Sequence, residues 1–263
     1  MFQTIRNKGG KYIRGFVERR DKKKINTHPA LVSLLTKYGR TSHSTGASHA
    51  DYLALYSYIK THKPKEVLEC GTGFSTVVIA QALKENEEES GIMGHLVSME
   101  ENEKYYQDAL RSLPEQFKND SCVQIVCSPA VEDTYQVFRG IRYREIPKRP
   151  YDFVFVDGPD YVLPRGESLL AYDLDFLRLV EKSNHPMSAF IDTRTDTSYM
   201  YSLLFPNHFV YDHVRGTGIV RNVTKNDLIQ DLIKEKKVVA RVLARGGRHM
   251  QRPKLSKLFF GNY

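Results

Sequence analysis

Glu69, Gly71, Gly73 and Ser75 stand close together in the stretch Glu66-Val67-Leu68-Glu69-Cys70-Gly71-Thr72-Gly73-Phe74-Ser75-Thr76. A carboxylate, two glycines one residue apart and a set of hydroxyls can hold a small polar ligand. Glycine lets the backbone take positive φ and approach a ligand closely. A helix starting just afterwards offers unpaired N–H donors. The apolar run before Glu69 reads as a strand and Ser75–Ala80 as the opening of a helix, so the glycines fall in a strand-to-helix turn. A βα turn that binds nothing is the plain alternative. A dinucleotide site would show Gly-x-Gly-x-x-Gly with an acid about 20 residues further on. Here Thr76 occupies the third glycine position, and Glu69 precedes the first glycine by two residues. A carboxylate there repels a pyrophosphate and suits a ligand carrying an ammonium group.

Four more polar residues interrupt apolar runs at matching places: Glu100 after His95–Met99, Ser128 after Val123–Cys127, Asp157 after Tyr151–Val156 and Asp192 after Met187–Ile191. All five, Glu69 included, fall at the carboxyl ends of predicted strands. Ligands on open parallel sheets sit at that edge, near the reversal of strand order. A carboxylate at Glu100 suits a pair of ribose hydroxyls, and Glu101 takes that place if the register moves by one.

The elements that must bring these residues together alternate in type. After Ala30–Tyr38 and Ala50–Thr61, both helical, come strand Lys65–Cys70, helix Ser75–Lys84 and an acidic loop, Glu85–Gly91. Strand His95–Met99, helix Glu103–Leu113 and strand Val123–Cys127 follow, then a helix over Val131–Phe138 with Asp133 able to cap it. A basic, proline-bearing connector, Arg142–Pro150, leads to strand Tyr151–Val156. Helix Gly166–Val180, strand Met187–Ile191 and helix Asp196–Leu204 precede a hairpin of Phe209–Val214 and Gly218–Val223. Five strands alternating with helices imply an α/β fold with an open, mostly parallel sheet.

The pattern Glu-x-Gly-x-Gly-x-Ser resembles motif I of the class I S-adenosylmethionine (SAM) dependent methyltransferases. Tyr151–Gly158 and Ser128-Pro129-Ala130 resemble segments of the caffeoyl-CoA/catechol-type O-methyltransferase branch, with Ser128 where that branch has glycine. The resemblance covers residues 42–223. It implies a Rossmann-like, doubly wound sheet with a C-terminal antiparallel hairpin, SAM as cofactor, and methyl transfer to a hydroxyl oxygen of a small-molecule acceptor. Carried over residue by residue, it puts Glu69 near the ammonium of SAM, and Gly71, Thr72, Gly73 and Ser75 at its carboxylate. Glu100 or Glu101 would hold the ribose, Ser128 and Ala130 would border the adenine, and Asp157 and Gly158 would complete the cofactor wall. Thr45 and Gly46 lie in the loop that closes over the cofactor in such enzymes.

In metal-dependent members of the branch the counterparts of Asp157, Asp192 and Thr193 bind Mg²⁺. Thr193 replaces an asparagine, and a hydroxyl is a poorer oxygen ligand than an amide carbonyl. Asp160 stands where the branch has a lysine. Asp157 and Asp160 are the candidate catalytic pair, as base or as metal ligands. Tyr161 and Arg165, in the following loop, are the candidate substrate contacts. The scattered His185, His208 and His213 have no motif to support a general-base role.

Composition sets the remaining bounds. The chain has 263 residues with a formal net charge of +8. Residues 1–29 carry nine Lys and Arg against two acids and residues 224–263 carry ten against three, which leaves the stretch between them net acidic. This divides the chain into a basic N-terminal helical arm (1–41), a SAM-binding methyltransferase domain (42–223) and a basic amphipathic extension (224–263). Basic ends suit nucleic acid or an anionic membrane surface, or are solvated flanks; the amphipathic extension suits packing or a homodimer. A nucleic-acid methyltransferase and a non-catalytic Rossmann-like binding module are the rival functions. Asp157-Gly158-Pro159-Asp160 is not an Asn/Asp-Pro-Pro-Tyr motif, which counts against methylation of a base nitrogen. No apolar run approaches the roughly 20 residues that span a bilayer, and no apolar segment follows the charged N-terminus as in a secretory signal. Cys70, Cys122 and Cys127 make no disulfide framework, so buried thiols in the cytoplasm are expected.

Overall fold

The computed structural model describes residues 15–44, 48–118, 121–160 and 171–232. A helix over residues 15–25 (α1) precedes α2 (Pro29–Thr41) and α3 (His49–His62). Then come β1 (Glu66–Cys70), α4 (Phe74–Ser90), β2 (His95–Glu100), α5 (Glu103–Ser112), α6 (Glu115–Lys118) and β3 (Val123–Cys127). β4 (Ala130–Tyr135) and β5 (Phe138–Tyr143) lead to β6 (Phe153–Val156), β7 (Tyr172–Asp173) and α7 (Asp175–Lys182). β8 (Met187–Ile191), α8 (Thr195–Leu204), β9 (Phe209–Asp212) and β10 (Thr217–Val223) complete the fold, followed by a 3₁₀ turn at Lys225–Asp227.

Seven strands form one sheet in the order β3-β2-β1-β6-β8-β10-β9. Strands β3, β2, β1, β6 and β8 are parallel, while β10 runs antiparallel to both β8 and β9. This is the doubly wound, Rossmann-like sheet with a terminal hairpin. Order reverses beside β1, with β2 on one side and β6 on the other, and such a reversal leaves a crevice at the carboxyl edge.

Period-two alternation assigns the faces. Leu68, Cys70, Val154, Val156, Ala189 and Ile191 pack on the side of α7 and α8. Val67, Leu96, Phe153, Phe155 and Phe190 pack on the side of α2, α3 and α4. Burying such side chains contributes about 1.5–3 kcal/mol each, against about 0–1 kcal/mol for an exposed ion pair. The two apolar layers therefore hold the sandwich together. The same alternation turns Glu69 towards α4, with Ser98 as its register partner in β2.

Three sequence expectations are corrected. Residues 85–90 continue α4 and are not a loop, because α3 neutralises the run: Lys60 Nζ pairs with Glu89 at 2.6 Å, Tyr56 donates to Glu85, and Asn86 Nδ2 donates to Ile59 O at 2.9 Å. Residues 131–138 are not a helix. They enter a β4–β5 hairpin whose pairing runs from Ala130–Tyr143 to Tyr135–Phe138. Asp133 caps nothing there; Arg142 and Arg178 both donate to it, each at 2.8 Å. Of the helix expected over 166–180, residues 166–170 lie outside the described residues and the described part begins only at Asp175, since Tyr172 and Asp173 pair with β5 and Asp173 Oδ1 accepts Asp175 N at 3.1 Å. β5 lies so close to this segment that a Cβ on Gly140 would meet Leu174 Cγ at 2.4 Å.

The N-terminal helices join the body through the two acids of α1. Glu18 accepts His49 N (2.7 Å) and Ala50 N (3.1 Å) at the start of α3, and Asp21 accepts Arg215 Nη2 (2.8 Å) from the β9–β10 turn. Ile25, Leu31, Leu34 and Tyr38 share the core of α3 and α4. Among the described residues no helix is long and apolar enough to cross a membrane. Residues 233–263, with most of the expected C-terminal extension, lie outside the described residues, as do residues 1–14.

Candidate active site

Strands β1, β3, β6 and β8 of the parallel core carry their hydrogen-bond ladders one residue past their ends. Gly71 N donates to Met99 O (3.0 Å), Ser128 N to Glu100 O (2.9 Å), Asp157 N to Cys70 O (3.0 Å) and Asp192 N to Val156 O (3.0 Å). Glu100, Ser128, Asp157 and Asp192 are thereby set side by side on one edge, as their positions after apolar runs predict.

Gly71 has φ +95°, a conformation that L side chains rarely adopt. A Cβ there would lie 3.1 Å from Gly158 N, and one on Gly158 would lie 2.6 Å from Gly71 N. The β1 and β6 turns touch backbone to backbone, with no room for a side chain between them. The peptide bond between Gly158 and Pro159 is cis. Gly73 N donates to Thr76 Oγ1 (3.0 Å) at the start of α4. Thr76, at the place of the missing third glycine, thus ties the turn to the helix and to Glu69.

Glu69 is fully buried. Its Oε2 accepts Thr76 Oγ1 and Ser98 Oγ, both at 2.6 Å, while Oε1 has no hydrogen-bond partner among the described residues. Burial pushes its pKa up to about 7, although the hydroxyls of Ser75, Ser98 and Thr76 pull the other way. An orphaned buried carboxylate oxygen costs free energy until a donor reaches it. Glu100, also buried, accepts Thr72 Oγ1 (2.8 Å) on Oε2 and Asn102 N (3.0 Å) on Oε1. Burial raises its pKa, and Glu101 raises it further. Glu101 serves the framework: it accepts Asp160 N (2.9 Å) and the Tyr143 hydroxyl (3.3 Å).

On the far side of Gly158, Asp157 is half-buried and Asp192 is buried. Burial lifts their pKa values to about 6 and about 8, and Asp51 raises both. Arg194 is the cation that opposes them. It also clamps the β6 turn, donating through Nη1 to Pro159 O (2.8 Å) and through Nη2 to Asp157 O. Thr193, exposed between them, has φ +23°. A cavity of about 280 Å³ is lined by Asp157, Ala171, Thr193, Arg194, Asp196 and Thr197, among others.

Not every expected residue gathers here. Asp160 is exposed, and its backbone N–H donates a hydrogen bond to Glu101 Oε1. Ala130 begins β4 and packs against Ile141 and Ala171. The Ser128 hydroxyl accepts Glu145 N (3.0 Å), and Ser128 lines a second cavity of about 370 Å³ with Cys127, Pro129 and Arg144. His185 and His208 are bonded to the backbone of Tyr151 (2.8 Å) and Arg221 (2.9 Å) at the opposite edge of the sheet. Thr45, Gly46, Tyr161 and Arg165 lie outside the described residues. A larger groove, about 1020 Å³, runs along residues 142–151 and 175–187, away from the Gly71–Gly158 contact.

Sequence reasoning missed Asp51, Arg194, Ser98 and Thr76. Ser98 had a visible signal, a lone polar residue inside an apolar strand. Asp51 follows Ser48 by three in a helix-start pattern, and its N–H donates to Ser48 Oγ at 3.1 Å. Arg194 had none.

For Mg²⁺ the fit is poor. Among the described residues no three His, Cys, Asp or Glu side chains are grouped to hold a metal ion. Asp157 and Asp192 already have the Arg194 guanidinium as counter-charge.

Residues 68–178 match the family described as a methyltransferase domain. Sequence comparison with curated proteins gives no match. Among solved structures, a Podospora anserina methyltransferase bound to SAH is 14% identical, with a TM-score of 0.44 over 86% of this chain and 80% of that one. An O-methyltransferase from Bacillus cereus in complex with SAH is 14% identical, with a TM-score of 0.45 over 74% and 91% of the two chains. An O-methyltransferase of tomaymycin synthesis from Streptomyces achromogenes, in complex with SAM, is 16% identical, with a TM-score of 0.44 over 74% and 90%. The matched span contains the Gly71–Gly73 turn, Glu100 and Asp157, so the similarity to a methyltransferase domain takes in the candidate site.

Proposed function

We propose that this protein is a SAM-dependent methyltransferase acting on a hydroxyl oxygen of a small-molecule acceptor. The observation that carries the reading is the fully buried Glu69, whose Oε1 has no hydrogen-bond partner among the described residues, beneath a turn where Gly71 is closed to a Cβ by its positive φ and the Gly158 backbone. Such a site suits a cation-bearing ligand that presses close to backbone. SAM fits that description through its ammonium, and Glu100 stands ready at the end of β2 for ribose hydroxyls. Glu69, the Gly71–Gly73 backbone and Ser75 would hold the methionine part, Glu100 the ribose, and Ser128 would border the adenine.

When bound, SAM supplies a methyl group on a positively charged sulfur. The protein's part is to hold the acceptor oxygen in line with that methyl and to remove the oxygen's proton. Holding two reactants in near-contact geometry supplies much of the rate in such transfers. Asp157 is the candidate base: it lines the 280 Å³ cavity, and a pKa of about 6 leaves it ionised yet basic near neutral pH. Arg194 fixes the turn that presents it. Asp160, expected as its partner, is assigned no chemical step.

The test is calorimetric titration with SAM and SAH, followed by methyl transfer from labelled SAM to a library of hydroxylated metabolites. Binding of both nucleosides and label on an acceptor oxygen are expected. Absence of SAM and SAH binding by the folded protein overturns the reading. Label on RNA or DNA in place of small molecules would move the acceptor to nucleic acid.

A further inference from the structure

Donors from two consecutive residues converge on one buried carboxylate of α5. Ser42 Oγ (3.1 Å) and His43 N (2.8 Å) both donate to Asp108 Oδ2, and His43 Nδ1 lies 2.8 Å from Asp108 Oδ1. Arg111 Nη2 donates to Oδ1 as well, at 2.6 Å. Burial works to raise the Asp108 pKa, but the His43 ring and amide, Arg111 and Ser42 together hold its carboxyl well below the usual carboxylate range.

The segment so gripped lies on the cofactor turn. Ser42 Oγ also accepts Ser44 N at 3.0 Å, and Ser44 Oγ stands 3.1 Å from where a Cβ on Gly73 would be. At the end of α2, the Tyr38 ring meets the Phe74 ring edge-on with centroids 5.0 Å apart, and Gly39 approaches Phe74 Cζ. Residues 38–44 thus cover the first residues of α4, at the turn where Glu69 and Glu100 converge.

We propose that Asp108 is a positioning residue for cofactor binding: it clamps Ser42–Ser44 as a fixed wall beside the Gly71–Gly73 turn. The proposal rests on reading that turn as the SAM site. A segment free to wander would lose conformational entropy each time a ligand was bound. Asp108 prepays that loss in the unliganded protein. Only an ionised carboxylate suits the task, because its two oxygens are acceptors throughout and every group facing them is a donor. An asparagine would turn an N–H₂ towards one of those donors.

The test measures amide exchange in ligand-free protein and SAH affinity by calorimetry, for wild type and Asp108→Asn. Exchange at residues 42–44 should rise about tenfold or more, while amides of β1 stay protected. The SAH dissociation constant should rise roughly 5- to 20-fold, as expected for losing one or two charge-assisted hydrogen bonds. If Asp108→Asn does not fold, the double variant Ser42→Ala, His43→Ala removes the same side-chain contacts from the other side. Faster exchange with unchanged SAH affinity overturns the wall. Unchanged exchange overturns the clamp. Failure of wild type itself to bind SAH overturns the methyltransferase reading and this proposal with it, an outcome distinct from equal binding by wild type and variant.

Discussion

The two halves of the carboxyl edge are built on different principles. On the β1–β2 side, Glu100 has both oxygens bonded, Gly71 and Gly158 touch backbone to backbone, and Thr76 and Ser98 grip one oxygen of Glu69. On the β6–β8 side, burial raises the pKa of Asp157 and Asp192, Asp51 raises both further against the Arg194 guanidinium, and Thr193 holds a left-handed φ. One side has its carboxylate oxygens fixed by hydrogen bonds except Glu69 Oε1; the other sets two carboxyls of raised pKa against the Arg194 guanidinium. A site that must take the same cofactor at every turnover gains from a prebuilt half. The half facing the acceptor can keep electrostatic strain to spend on the reacting proton.

The largest break in this comparison should come from the backbone contact. Gly71→Val puts a branched side chain at φ +95° within 3.2 Å of the Asp157–Gly158 backbone. Loss of SAH binding by at least about 100-fold is expected, with destabilisation of about 1–3 kcal/mol in denaturant melts. Next, Glu100→Ala removes a charged acceptor and should weaken SAH by about 2–3 kcal/mol, or roughly 30- to 150-fold, in calorimetry. Retained affinity in a folded variant would deny Glu100 its ribose role.

A pH titration sharpens the contrast. The Glu69 pKa is raised to about 7, so below pH 7 the side chain is mostly neutral and a cationic ligand must first expel its proton. SAH affinity should therefore fall by up to about tenfold per unit below pH 7. Glu69→Gln should flatten that dependence; a dependence that persists would place its origin in Asp157 and Asp192. The stability linkage has the opposite sign. A carboxyl whose pKa is raised on folding favours the folded state at low pH, and that contribution is lost from about pH 4.5 upward towards 7. The smallest effect is expected from metal removal. With Arg194 as the resident counter-charge, EDTA should change SAH affinity by less than about twofold, and EDTA-treated enzyme should keep its turnover without added Mg²⁺.

Much of the cofactor half was legible from residue order. Glu69, Gly71, Gly73 and Glu100 are tied to strand ends by short-range pattern, and strand ends on a parallel sheet share an edge. The errors fell where tertiary partners override local preference. Glu85–Ser90 looks like a solvated acidic loop until Lys60 of α3 and Lys63 just past its end are placed beside it. Val131–Phe138 satisfies a helical reading, yet Arg142 and Arg178 draw Asp133 into a hairpin. Arg194 is one arginine among many in the sequence, and only the fold brings it against the carbonyls of Asp157 and Pro159.

By itself the sequence determined the alternation of strands and helices, the diglycine bend and the row of polar residues closing each strand. Those features depend on chain neighbours a few residues apart, where period and steric freedom decide the outcome. Tertiary structure alone decided which carboxylates share a charge, which side chains grip Glu69, and that Asp108 reaches back to Ser42 and His43. Such pairings join residues far apart in the chain, and nothing in local chemistry selects one distant partner over another until the layers pack.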